Sequence, residues 1–111
     1  MKDDRIYIEH IVECMDWIFS YREEGRENFF ADHKTQSAVL RDLQTLAESI
    51  QRLSPEIKEA HPEVSWLGIS GFRNILVHDY LGINLDRVWD IIENDLPVLQ
   101  SAVSAMLQEL E

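Results

Sequence analysis

Val39-Leu40-Arg41-Asp42-Leu43-Gln44-Thr45-Leu46-Ala47-Glu48-Ser49-Ile50-Gln51-Arg52-Leu53 is the stretch on which the fold turns. Its apolar residues Val39, Leu43, Leu46, Ile50 and Leu53 recur at steps of three and four, which lines them along one face of a helix. Upstream, the same segment reaches back to about Asn28, with room for a break at Asp32. Further upstream, Asp4 to Tyr21 repeats the spacing through Tyr7, Ile11, Cys14, Ile18 and Tyr21, and Gly25 stands at a plausible stop. Downstream, Ser54-Pro55 reads as an N-cap followed by proline at the first helical position, opening a short helix that ends before Pro62. A fourth segment runs from Ser65 to about Leu81, closed by Gly82. Asn84 caps a fifth, with Leu85, Val88, Trp89 and Ile92 inward, and Pro97 marks a boundary or kink. Leu99, Val103, Met106, Leu107 and Leu110 carry the last segment. Trp17, Trp66 and Trp89 all fall in apolar helical segments and are expected in the core. Sustained alternation is lacking, so the expected fold is all-α, an up-and-down antiparallel bundle of four to five main helices.

Composition sets the class. The chain has 111 residues, 45% hydrophobic and 28% charged, which suits one globular domain over residues 1–111 and is too apolar for disorder. No apolar run approaches the roughly 20 residues of a membrane span, and Met1-Lys2-Asp3-Asp4 does not open a signal peptide. A lone cysteine, Cys14, excludes an intrachain disulfide and a Cys-rich zinc module, and a reducing cytoplasm fits best. The formal net charge of −11 argues against broad adhesion to nucleic acid, which draws its affinity from basic side chains on phosphates. From Val88 to Glu111 there is no Lys or Arg and there are five acids, either a solvated face or a docking surface for a basic partner.

The fourth segment breaks its own pattern. On a helix, Ile69, Phe72 and Leu76 cluster within about 60° of one another, while Arg73 and Tyr80 flank that apolar sector. Ser70, Gly71, Asn74 and His78 occupy a separate small-and-polar sector. An arginine at the margin of a core face is costly unless its donors find acceptors. Gly68 and Gly71 each weaken a helix by about 0.5–1 kcal/mol relative to alanine, which suggests that another backbone, or a partner subunit, comes close there. Asn74 and His78 are four apart, so the amide can orient the imidazole. His78 also lies in the last turn before Gly82, where the helix dipole favours imidazolium and equips it to give or take a proton near neutral pH. Arg73 and His78 stand about 140° apart on an ideal helix and converge only across a groove, as between two facing copies.

Arg73-Asn74-Ile75-Leu76-Val77-His78-Asp79-Tyr80 resembles the R-x4-H-x-Y signature of HepT-like toxins in the HEPN superfamily. Trp66, Gly71, Leu85-x-x-Val88-Trp89 and Asp95-Leu96-Pro97 extend the likeness over nearly the whole chain, and Ser65 departs from it where proline is expected. The resemblance implies a HEPN helical bundle that forms a homodimer with its two motifs facing, metal-independent cleavage of RNA without a cofactor, and a cognate nucleotidyltransferase antitoxin. It implies that Arg73 and His78 are catalytic, that Asn74 supports them, and that Tyr80 accepts AMP from the antitoxin. The chemistry is compatible: RNA brings its own 2′-hydroxyl nucleophile, so the protein needs a proton-transfer group and a cation for the phosphorane charge. With so acidic a chain, RNA binding requires a local basic groove, for which Arg22, Arg26 and Arg41 are candidates beside Arg73. The competing reading is a non-catalytic HEPN module that binds RNA, a nucleotide or a partner nucleotidyltransferase.

Other residues carry less. His10 and Cys14 have the i, i+4 spacing of metal ligands, but a third ligand is missing and Cys14 also fits the core stripe. His33 and His61 lie near segment ends, where capping or solvent exposure is expected. No Gly-rich phosphate loop is present.

Overall fold

The computed structural model describes residues 2–69, 71 and 84–110. Among them the chain is helical and contains no strand: α1 (Lys2–Arg22), α2 (Arg26–Ala31), α3 (His33–Gln51), α4 (Pro55–Glu59), a helical turn over 66–69, α5 (Leu85–Asp90) and α6 (Leu96–Leu110). A π-helical turn, Ile91–Asp95, joins the last two.

Local chemistry sets the boundaries. Gly25 sits at φ 94°, a left-handed conformation that side chains resist, and it turns the chain from α1 into α2. Asp32 is the break anticipated from the sequence: its carboxylate accepts from the Lys34 N–H at 3.2 Å and the Thr35 hydroxyl at 2.7 Å, capping α3. The Gln36 amide donates to the carbonyls of Phe29 at 3.0 Å and Phe30 at 3.2 Å, fastening α2 to the start of α3. Ser54 caps α4 with Pro55 at its first position, and Asn84 caps α5 by accepting from the Arg87 N–H at 3.3 Å.

Pro97 marks a boundary, as expected, but one between two windings rather than a stop: the π-helical turn ends at Asp95 and α6 begins at Leu96. Asp90, Ile91 and Leu96 all keep right-handed helical angles, and the Leu96 N–H reaches back five residues to the Ile91 carbonyl. Proline has no N–H for the Glu93 carbonyl and its ring crowds that position; the wider winding ahead of it accommodates both.

The core is the seam between α1, α3 and α6. Ile8, Ile11 and Ile18, with Leu46 and Ile50 and with Leu96, Leu99 and Met106, are all 0% exposed. Asp4 at the start of α1 meets Ser54 just beyond α3, and Glu109 near the end of α6 meets His61, while Arg26 beyond α1 meets Asp86 in α5. The α1 helix therefore runs antiparallel to both α3 and the α5–α6 rod, as expected of an up-and-down bundle. Ile11, Cys14 and Ile18 of the α1 stripe are buried as expected. Ile8 and Met15 fill the centre, and Tyr7 and Tyr21 pack only partly buried at its margin. Trp17 departs from expectation more sharply: it is 55% exposed, because Ile18 takes the inward position and its neighbour is rotated about 100° away. Trp66 and Trp89 are half-buried against the core, Trp89 with its ring 5.4 Å from that of Phe29.

Candidate active site

Arg73, Asn74, His78 and Tyr80 lie outside the described residues, as do Ser70, Phe72, Leu76 and Gly82. What the structure does show is how the two flanks of that segment are held.

The upstream flank is clamped by polar groups. The Trp66 indole N–H is shared between the carbonyls of Lys58 at 2.9 Å and His61 at 3.0 Å. The Ile69 N–H bonds the Ser65 carbonyl, starting the helix, and Ile69 itself is buried. His61, for which capping or solvent exposure is expected, is buried to 7% residual exposure between two carboxylates, Glu63 at 3.2 Å and Glu109 at 3.1 Å. Burial alone would lower the imidazole pKa, but the hydrogen bonds to Glu109 and Glu63 outweigh it and raise it above the usual histidine value. Glu63 sits two residues away and is visible locally. Glu109 is 48 residues distant, and nothing in the one-dimensional pattern points to it.

Of the two neighbours expected at the glycines, another backbone of this chain or a partner subunit, the structure speaks to the first. No described backbone lies within 4 Å of where a Cβ would stand on Gly71, and at Gly68 the near atom is the Ser65 hydroxyl at 2.7 Å. Close approach by another backbone of this chain is thus not seen at either position among the described residues. Gly68 instead lines a cavity of about 160 Å³ with Ser65, Ile69, Arg87, Ile91 and Asp95. Burial, and after it the neighbouring Asp90, push the Asp95 carboxyl above the usual aspartate range, while Arg87 opposes them.

Of the arginines named as candidates for a basic groove beside Arg73, Arg26 pairs with Asp86 at 2.8 Å and lies over the Phe30 ring, Arg22 lies over the Phe19 ring, and Arg41 is exposed beside Asp42. His10 and Cys14 do not combine. His10 is exposed, with Nδ1 3.4 Å from the Ser49 hydroxyl, whereas Cys14 is buried in the core. Burial first, then Asp42 and Glu13, push its thiol to about 11, which leaves it inert at neutral pH. His33 is exposed at the first position of α3. No helix among the described residues is long and apolar enough to cross a membrane.

A family model described as ribonuclease HepT-like matches residues 11–106. A protein of Methanocaldococcus jannaschii named as a gamma-glutamylcyclotransferase and candidate RNase is 30% identical over 111 residues; the chain spans only 50% of that relative's length. A candidate RNase of Caldanaerobacter subterraneus is 34% identical, with 98% of each chain covered. A Thermococcus cleftensis protein named as a probable ribonuclease HepT is 34% identical over 85% of this chain and 86% of its own. No solved structure matches significantly.

Proposed function

The chain belongs to the HepT-like ribonuclease family, and from that premise we propose that it is an endoribonuclease acting as the toxin of a toxin–antitoxin pair. The observation that carries the reading is Arg73-x4-His78-x-Tyr80 inside the span the family model matches.

The reaction needs no group beyond RNA and side chains. The 2′-hydroxyl attacks the adjacent phosphorus as its proton leaves to a base. The bond from phosphorus to the 5′-oxygen breaks, and that oxygen takes up a proton. His78 serves as the proton-transfer group, a role worth typically 10²–10⁴-fold. Arg73 holds the negative charge that develops on the phosphorane oxygens, and Asn74 orients the imidazole. Cleavage of this kind is metal-independent. Because an ideal helix would set Arg73 and His78 about 140° apart, the site is complete in a homodimer that brings its two motifs face to face, each surface meeting its own copy. The regulator is a nucleotidyltransferase antitoxin that attaches AMP to Tyr80, bringing negative charge and a nucleoside to the place where an RNA phosphate must approach Arg73.

The net charge of −11 favours the second reading, a binding module that cuts nothing. Incubating the purified chain with bulk RNA in EDTA separates the two. Wild type is expected to cut, and Arg73→Ala and His78→Ala are each expected to lose at least about 100-fold in rate while keeping helical circular dichroism. Intact RNA with wild type overturns the enzyme reading.

A further inference from the structure

The outward face of α1, beside α3, has no role in the proposed chemistry and carries what a surface normally hides. Trp17 is 55% exposed and Ile6 63% exposed. Trp17 is stacked on Tyr21, with ring centroids 6.3 Å apart and planes 23° from parallel, so the aromatic surface is a preformed plate. On an ideal helix Ile6, His10, Glu13, Trp17 and Tyr21 fall within about 80° of one another, one continuous stripe. The surface beside the stripe is acidic. Glu13 is exposed on α1, and Asp42 is partly buried on α3, close enough that both disfavour ionisation of Cys14 between them. Asp42 and Glu24 likewise act on Tyr21. Neither Glu13 nor Asp42 makes an ion pair among the described residues, although Arg41 adjoins Asp42.

Two carboxylates that make no ion pair among the described residues, Asp42 with only Arg41 adjoining it, stand next to a stacked pair of an exposed Trp17 and a half-buried Tyr21, and the acidic charge is incompletely balanced. The desolvation of Asp42 is offset when a cation arrives, and the faces of the two rings attract a guanidinium or ammonium. We propose that the Ile6–Trp17–Tyr21 stripe with Glu13 and Asp42 is a docking surface for a basic amphipathic protein segment. The partner's Arg or Lys head groups reach Glu13 and Asp42, and its apolar side chains cover Trp17 and Ile6. Charge selects this occupant over others. RNA and anionic lipid bring phosphates to carboxylates, and a second copy related by a two-fold axis brings the same acids to themselves. The proposal stands independently of the ribonuclease reading, since none of its residues belongs to the motif.

The test is a nitrogen–proton NMR titration of the full chain, following the Trp17 indole and the amides of α1 and α3. Four probes are added separately: a Lys/Arg-rich amphipathic 18-residue peptide, the same peptide with Glu at its basic positions, a 20-nucleotide polyuridine RNA, and phosphatidylglycerol vesicles. The basic peptide is expected to give saturable shifts centred on Trp17, and its Glu counterpart none. Trp17→Gln and Glu13→Gln, both at exposed positions where folding is not at stake, are each expected to weaken binding by at least about tenfold. The proposal is overturned if the basic peptide leaves these signals unmoved, or binds both variants as well as wild type. It is equally overturned if RNA or vesicles shift this face instead, or if the free protein's Trp17 signals move with its own concentration.

Discussion

The two ends of the bundle are fastened by different physics. At the end where α1 begins and α6 finishes, links between residues far apart in sequence are polar and each has a buried member, Asp4 or His61, although the Glu109 carboxylate is itself exposed. The Asp4 carboxylate, 4% exposed, accepts from the Ser54 N–H at 2.8 Å and the Ser54 hydroxyl at 2.7 Å. Beside it His61 bridges Glu63 and Glu109, and its carbonyl helps hold the Trp66 indole. At the opposite end, where α2 meets α5, the polar link among the described residues is one exposed pair, Arg26 with Asp86, beside aromatic contact through Phe29, Phe30 and Trp89. Buried hydrogen bonds are costly to leave unmade, whereas exposed ion pairs contribute little. The first end therefore sets register, and it is the end from which the motif-bearing segment departs at Trp66.

That contrast breaks most visibly at Asp4. Asp4→Ala strands both Ser54 donors, and urea unfolding is expected to show a loss of about 2–3 kcal/mol. A loss under about 0.5 kcal/mol, no more than a surface substitution gives, would erase the distinction between the ends.

His61 comes next, and its effect depends on pH. The folded imidazole has a raised pKa, so the stabilisation it lends is fully present below its unfolded value of about 6.5 and is lost as pH rises through the folded value. Only the protonated ring donates to both carboxylates at once. His61→Gln is expected to cost about 1–2 kcal/mol at low pH, with the gap from wild type narrowing at alkaline pH. A gap that widens with pH would contradict the bridge. Trp66→Phe, which removes one shared N–H and keeps the ring, is expected to cost about 1 kcal/mol. At the opposite end, a double-mutant cycle on Arg26→Ala and Asp86→Ala is expected to give a coupling below about 1 kcal/mol that fades with salt.

The same contrast explains what was legible from sequence. Helices declare themselves through spacing and caps, so Asp32, Ser54-Pro55 and Asn84 mark their boundaries where the structure has them. Pro97 gives the place of a boundary but not its kind, because proline alone does not say whether a helix stops or widens. Trp17 misleads because an apolar residue within an amphipathic helix can sit one position off the stripe. His61 is illegible for another reason: its environment is made by Glu109, a pairing of distant residues that only the packed bundle creates. The motif Arg73-x4-His78-x-Tyr80 is the reverse case, a pattern of side-chain chemistry readable in one dimension because all its members share one segment.

The ends of the RNA products test the central claim most directly. Wild-type protein in EDTA is expected to leave fragments ending in a 2′,3′-cyclic phosphate, the mark of attack by the neighbouring 2′-hydroxyl, and His78→Ala is expected to leave the RNA whole. Fragments carrying a 3′-hydroxyl, or equal cutting by the His78→Ala variant, would contradict the proposed chemistry.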